Sequence, residues 1–312
     1  MINFRYHLAS LVAVFLALGL GVVMGSTVVD RAVVDGLRNR IDQVESNAEK
    51  RRSENEDLRR QVAERDAFIE EANSFTVERR LAGVPIVVVA VNGVDESPVK
   101  AAVTELRASG ANVPGILWLE PKWGLTTADA TRELAAAIGQ PVRPEAQLRD
   151  AAWFAFARRI VGGTPATSGQ LTDVLVALLD AKFLRFDPVG TGTSLPQSLG
   201  ARALLVGGSE QDVAVDGMLV SVARQFVIAS LPTTAAEVYV ESDKGPDRGS
   251  VVGEVRDDAA LSRVVSTIDD LDIDRGRVAA VLALRDLSAG VVGHYGIGED
   301  ASDGQLPAWN AR

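Results

Sequence analysis

The chain holds few residues able to do chemistry. It contains two histidines, His7 and His294, three methionines, Met1, Met24 and Met218, and no cysteine. That inventory excludes disulfides, zinc–thiolate sites, iron–sulfur clusters, cysteine nucleophiles and any site built from several imidazoles. The sequence is therefore poor in the thiolate and thioether ligands that soft metal ions prefer. A hydrolytic triad would have to use His294, because His7 borders a long apolar segment, and no Gly-x-Ser-x-Gly elbow is present. Gly190-Thr191-Gly192-Thr193-Ser194 lacks the Gly-Lys-Ser/Thr ending of a phosphate loop and is followed by a proline, so it reads as a surface loop. Gly93 stands alone after an apolar run, without the further glycines of a dinucleotide fingerprint. No catalytic residue and no bound cofactor are nominated, and the chain reads as a non-enzyme.

Polar punctuation is densest near the C-terminus. Asp269, Asp270 and Asp272 follow an apolar run and precede a helix, where carboxylates favour the helix N-terminus. Capping is the expectation; a hard-cation site would need more converging oxygens. Gly293-His294-Tyr295-Gly296-Ile297-Gly298 sets three glycines around an imidazole and a phenol, which implies tight turns and close backbone approach. His294 reads as a hydrogen-bonded structural residue. The rival reading is an enzyme with its cleft around His294 or the Asp269 cluster.

The elements that must position these residues are of α/β type. Ile86 to Val91 is a continuous apolar run, the mark of a strand buried on both faces. Ser97-Pro98 opens a helix that Gly110 closes, and Ile116 to Leu119 forms a second apolar run. Strand, helix, strand at this spacing predicts a mostly parallel sheet. Further helices are expected at 128–138, 144–160, 170–181 and 216–229, with strands at Phe183–Phe186, Ala203–Val206 and Glu237–Val240. Val278 to Leu287 reads as a helix with a strand as the alternative.

The N-terminal quarter is organised differently. Leu8 to Val29 is 22 residues without a charge, about 33 Å as a helix and enough to cross a bilayer core; a cleaved signal peptide is the rival. Arginines flank both ends, so the positive-inside count does not orient it. Ala9, Ala13, Ala17, Gly21 and Gly25 recur every four residues, a spacing that lets membrane helices approach closely. Beyond it, Val34, Ile41, Ala48, Asn55, Val62, Ile69 and Thr76 occupy heptad position a, with Leu37, Val44, Arg51, Leu58, Arg65 and Ala72 at d. β-branched residues at a, leucines at d and a single asparagine favour a parallel homodimer about 64 Å long. A lone solvated helix is the alternative, since Arg51 and Arg65 weaken the seam. The net charge of −10 argues against nucleic-acid binding, which needs a basic footprint.

The run from Ser10 to Ser26, the coil after it, and the closing Ser266-Thr-Ile-Asp-Asp-Leu-Asp272, Gly276-Arg277-Val278 and Gly293-His-Tyr-Gly296 resemble the MctB family of actinobacteria. Its members are known as copper transport proteins of the mycobacterial outer membrane, and SteB-like relatives are linked to the cell envelope and cell separation. The resemblance covers the whole architecture, with its specific motifs at the two ends. It implies a membrane-anchored envelope protein with copper as the transported ion, and a motif of unassigned role at Asp269, Asp270, Asp272, Arg277, Gly293, His294, Tyr295 and Gly296. The expected plan is a tail (1–7), a transmembrane helix (8–29), a coiled coil (30–80), an extracytoplasmic α/β domain (83–298) and a flexible tail (299–312). Two functions follow: a component of copper efflux or homeostasis, or a non-enzymatic scaffold or regulator that engages envelope or division proteins.

Overall fold

The structure, a computed structural model, describes residues 4–162, 173–190, 200–213, 215, 217–241 and 247–308, with only the backbone given for residues 26–32, 66, 70 and 74. The chain divides into two units, Met1–Ile69 and Glu70–Arg312. The first unit is one element, the greater part of helix α1 (Phe4–Val77, 74 residues). Its apolar window is Phe4–Gly25, so residues 4–7, expected as a tail, belong to the helix. That window is long and apolar enough to cross a membrane, and all of it is exposed in the isolated chain.

The second unit is the expected α/β domain. Strand β1 (Ile86–Val91) is buried along its whole length, and β2 (Gly115–Leu119) pairs with it in parallel. Helix α2 (Glu96–Ala108) connects them; the Asp95 carboxylate accepts the Ser97 N–H at its start, and Val99, Ala102, Val103 and Leu106 form its buried face. Helices α3 (Ala128–Ala137), α4 (Glu145–Gly162) and α5 (Val174–Asp180) precede β3 (Leu184–Pro188), which runs antiparallel to β2 at the sheet edge. The remaining strands are β4 (Arg202–Gly208), β5 (Thr233–Val238), β6 (Ser266–Ile268) and β7 (His294–Tyr295), with α6 (Met218–Ile228), α7 (Ser250–Asp257) and α8 (Asp274–Asp286) between them. The sheet order is β3-β2-β1-β4-β5-β6-β7, parallel except for β3.

Several expectations need correction. Val278–Asp286 lies in helix α8, as the first reading held, and Leu287 follows it in a 3-10 turn. The strand expected at Glu237–Val240 runs instead from Thr233 to Val238; its first four residues, two threonines and two alanines, are buried beside neighbouring strands but form no apolar run that a sequence pattern would show. Helix α7 and the short strands β6 and β7 fall where no element was expected; β6 and β7 are too short to show a period. Residues 299–308 do not form a free tail: the Gly296 N–H donates to the Gly304 carbonyl, the Asp303 N–H to the His294 carbonyl, and Pro307 is buried. The Thr191–Ser194 part of the glycine–threonine loop lies outside the described residues.

The aromatic core stands at one end of the sheet. Trp123 stacks on Trp153 with ring centroids 3.5 Å apart, and its indole N–H donates to the Phe183 carbonyl at 2.8 Å. That carbonyl bond meets the polar demand of a ring otherwise wholly buried.

Candidate functional site: a buried carboxylate–arginine cluster

The carboxyl ends of β5, β6 and β7 lie side by side, the edge of an α/β sheet where ligands usually bind. Here that edge is occupied by the protein's own charges. Glu237, Asp269 and Asp270 are fully buried. Glu237, near the end of β5, accepts the backbone N–H groups of Gly249, Val251 and Val252 at 2.9–3.2 Å. These are free donors at the start of α7, so the carboxylate caps that helix from across the fold. Burial pushes the Glu237 carboxyl up, against the pull of these three donors.

Asp269 follows β6. One of its oxygens accepts the N–H groups of Ile297 and Gly298 at 2.8 and 3.2 Å, and the other accepts Arg256 Nη2 at 3.0 Å. Arg256, on α7, also donates to Thr267 Oγ1 and to the Tyr295 carbonyl. The next carboxylate, Asp270, accepts Arg275 Nε at 3.1 Å, while its Oδ1 has no partner among the described residues. Burial raises its pKa, and the neighbouring Asp269 charge acts in the same direction. Asp272 takes both Nη atoms of Arg248, at 2.7 and 3.0 Å, and that guanidinium lies 4.4 Å from the Tyr239 ring centre. Arg277 pairs with Asp274 and donates to the Asp272 carbonyl.

His294 is held at both ring nitrogens. Its Nε2 lies 3.1 Å from the Ser262 carbonyl, which can only accept, so Nε2 carries the proton. Its Nδ1 then accepts from the Thr267 hydroxyl at 2.9 Å. Burial, and next the Arg256 charge, lower the imidazole pKa. With its lone pair already engaged, this ring is poorly placed as a base. Two glycines let the strands close. At Gly296, φ is +139°, and a side chain would collide with the Asp269 carboxylate. Gly276 leaves no room for a side chain against Asp270.

The structure therefore brings Asp269, Asp270, Asp272, Arg277, Gly293, His294, Tyr295 and Gly296 together. Sequence reasoning missed Glu237, Arg248, Arg256, Thr267 and Arg275. The available signal was a glutamate standing beside a strand's apolar end and arginines placed before and within an unassigned helix. Among the described residues no group of three or more His, Cys, Asp or Glu is arranged to hold a metal ion. Met218 is buried at the start of α6.

A family model described as "Copper transport outer membrane protein, MctB" matches residues 1–305. The chain belongs to the MctB family. Proteins named Copper transporter MctB from Mycobacterium tuberculosis and Mycobacterium bovis are each 27% identical to it over 319 residues, spanning 96% of this chain and 98% of theirs. The Mycobacterium leprae protein of the same name is 28% identical over 321 residues, spanning 98% and 100%. Both ends of the MctB match carry the residues described here: α1 at one, the buried cluster at the other.

The α1 positions expected to associate all lie on the exposed helix. Ala13, Ala17, Gly21, Gly25 and Asn55 are exposed, and no atom lies within 4 Å of a side chain built at Gly21 or Gly25. Leu37, Ile41, Val44, Leu58, Val62 and Ile69 are between 42% and 66% exposed. In the single chain these apolar residues are uncovered.

Proposed function

We propose that this MctB-family chain is a membrane-anchored envelope protein that contributes to copper efflux or homeostasis indirectly, without itself carrying the ion. The observation that carries this reading is the state of the carboxyl edge. Its carboxylates and imidazole are engaged by arginines, backbone N–H groups and a threonine of the same domain, with single atoms of Asp270 and Arg256 left over. A polar edge committed to internal bonds acts as a lock on the domain, and the soft ligands that copper(I) favours are scarce in the sequence. A closed transmembrane barrel is the other route for an ion across an outer membrane. The strands described here instead form an open sheet within an α/β domain.

The supporting role we infer is that of an anchored parallel homodimer whose coil presents the α/β domain, on the extracytoplasmic side, to envelope or division proteins. The exposed heptad seam supports this second element. The test combines a deletion strain with the purified full chain. Deletion is expected to raise cell-associated copper, while chelator competition finds no stoichiometric copper(I) on the protein. Tight stoichiometric copper, or copper conductance in planar bilayers, would overturn the indirect role. Leu58→Glu with Val62→Glu should convert the dimer to monomer and abolish complementation; a dimer that persists in sedimentation would sink the coil reading.

A further inference from the structure

The opposite, amino-terminal edge of the same sheet carries a groove of about 350 Å³, whose lining includes Leu231, Pro232, Val264, Leu287, Val292 and Arg263. Three successive helix-to-strand turns meet there, those before β5, β6 and β7. Such turns are ordinarily polar surface. Here each one contributes apolar lining, Leu231 and Pro232 before β5, Val264 before β6 and Val292 before β7, and Val264 is 43% exposed. An apolar trough assembled from three separate turns marks a binding surface.

Charge supplies the second observation. Arg285, two residues from Leu287, is paired with Asp286, and Arg202, at the start of β4, donates to the Leu284 and Arg285 carbonyls. Arg263 lines the groove and is exposed, and among the described residues it has no hydrogen-bond or ion-pair partner. An apolar trough with one uncommitted guanidinium is complementary to an apolar chain that ends in a carboxylate, because the planar fork of arginine binds that head group with two parallel bonds. The volume narrows the class further. Small-molecule sites begin at roughly 300 Å³, so this groove suits one short acyl chain and is too small for a diacyl lipid.

We propose that the groove binds a single-chain carboxylate amphiphile of the medium-chain fatty acid class, with the tail along Leu231, Pro232 and Val264 and the head group on Arg263. The test uses the full chain in nanodiscs, titrated with carboxyl-¹³C decanoate and observed by NMR, with empty nanodiscs as the blank. Saturable one-to-one binding is expected, weakened at least tenfold by Arg263→Gln and by Val264→Asp, and at least tenfold weaker for decanol, which lacks the carboxylate. Both positions are exposed on turns, so unchanged unfolding midpoints will show that the variants fold. No saturable binding up to millimolar decanoate, equal binding by Arg263→Gln, or equal binding of decanol would each overturn the proposal. So would a self-association of two copies that Val264→Asp abolishes, since the groove would then be covered by a second chain.

Discussion

Replacing Asp269 by alanine should expose how strongly the buried cluster holds the domain. Its side chain is fully buried, and that of its partner Arg256 is 6% exposed, so water screens the pair very little. The substitution leaves a buried guanidinium without its carboxylate, and it also strands the Ile297 and Gly298 N–H groups. Breaking one side of a buried pair costs about 3–5 kcal/mol. At about 2–4 °C per kcal/mol for a domain of this size, the melting temperature should fall by roughly 6–20 °C. Tryptophan fluorescence of the full chain reads the domain directly, because Trp118, Trp123 and Trp153 are buried within it. The companion variant Arg256→Met removes the orphaned charge. In the Asp269→Ala background it should cost much less than it does alone, giving a coupling of about 2 kcal/mol or more. A loss below about 1 kcal/mol for Asp269→Ala, or simple additivity of the two changes, would refute the view of this edge as a structural lock.

The pH dependence tests the neutral state of the buried His294 ring. In the unfolded chain the imidazole protonates near its ordinary value of 6.5, and in the fold only at lower pH. Between those two values the unfolded chain binds more protons, so stability is full above 6.5 and falls as pH drops through 6.5 toward the folded value. Unfolding midpoints of His294→Gln between pH 7.5 and 5 should lose that slope; an unchanged profile would assign it to another group. Gly276→Ala drives a methyl group into the Asp270 backbone carbonyl and carboxylate and should cost about 1–3 kcal/mol in denaturant titrations. An unaltered midpoint would mean that the start of α8 shifts freely. Glu237→Gln retains the volume but turns an amide toward backbone donors that met a carboxylate, which should lower stability by about 1–3 kcal/mol in the same titration.

Legibility in the sequence followed local physics. The six apolar residues from Ile86 to Val91 announce a doubly buried strand because nothing polar is tolerated on either face. The helix start read at Ser97-Pro98 falls one residue from the first residue of α2, where Asp95 accepts the Ser97 N–H, a signal set within two residues. Strand β5 was half-hidden because buried threonines and alanines imitate a loop when its neighbours are unknown. The Asp269–Asp270 pair looked like local capping. In the fold both side chains instead meet arginines, from α7 and from the first turn of α8, and Asp269 also meets backbone 28 residues away.

The sequence alone determined the long apolar and heptad-patterned helix, the α/β class, the family motifs at both ends and the poverty in soft metal ligands. These are matters of composition and of periods shorter than two helical turns. Only the tertiary structure decided which charges meet. Glu237, Arg256, Asp269 and His294 lie 13 to 25 residues apart in succession and acquire their partners when β5, β6 and β7 align in parallel. That alignment depends on crossover connections whose packing no local pattern encodes. The same alignment gathers three turns at the far edge of the sheet, where Arg263, without a partner among the described residues, lines an apolar groove.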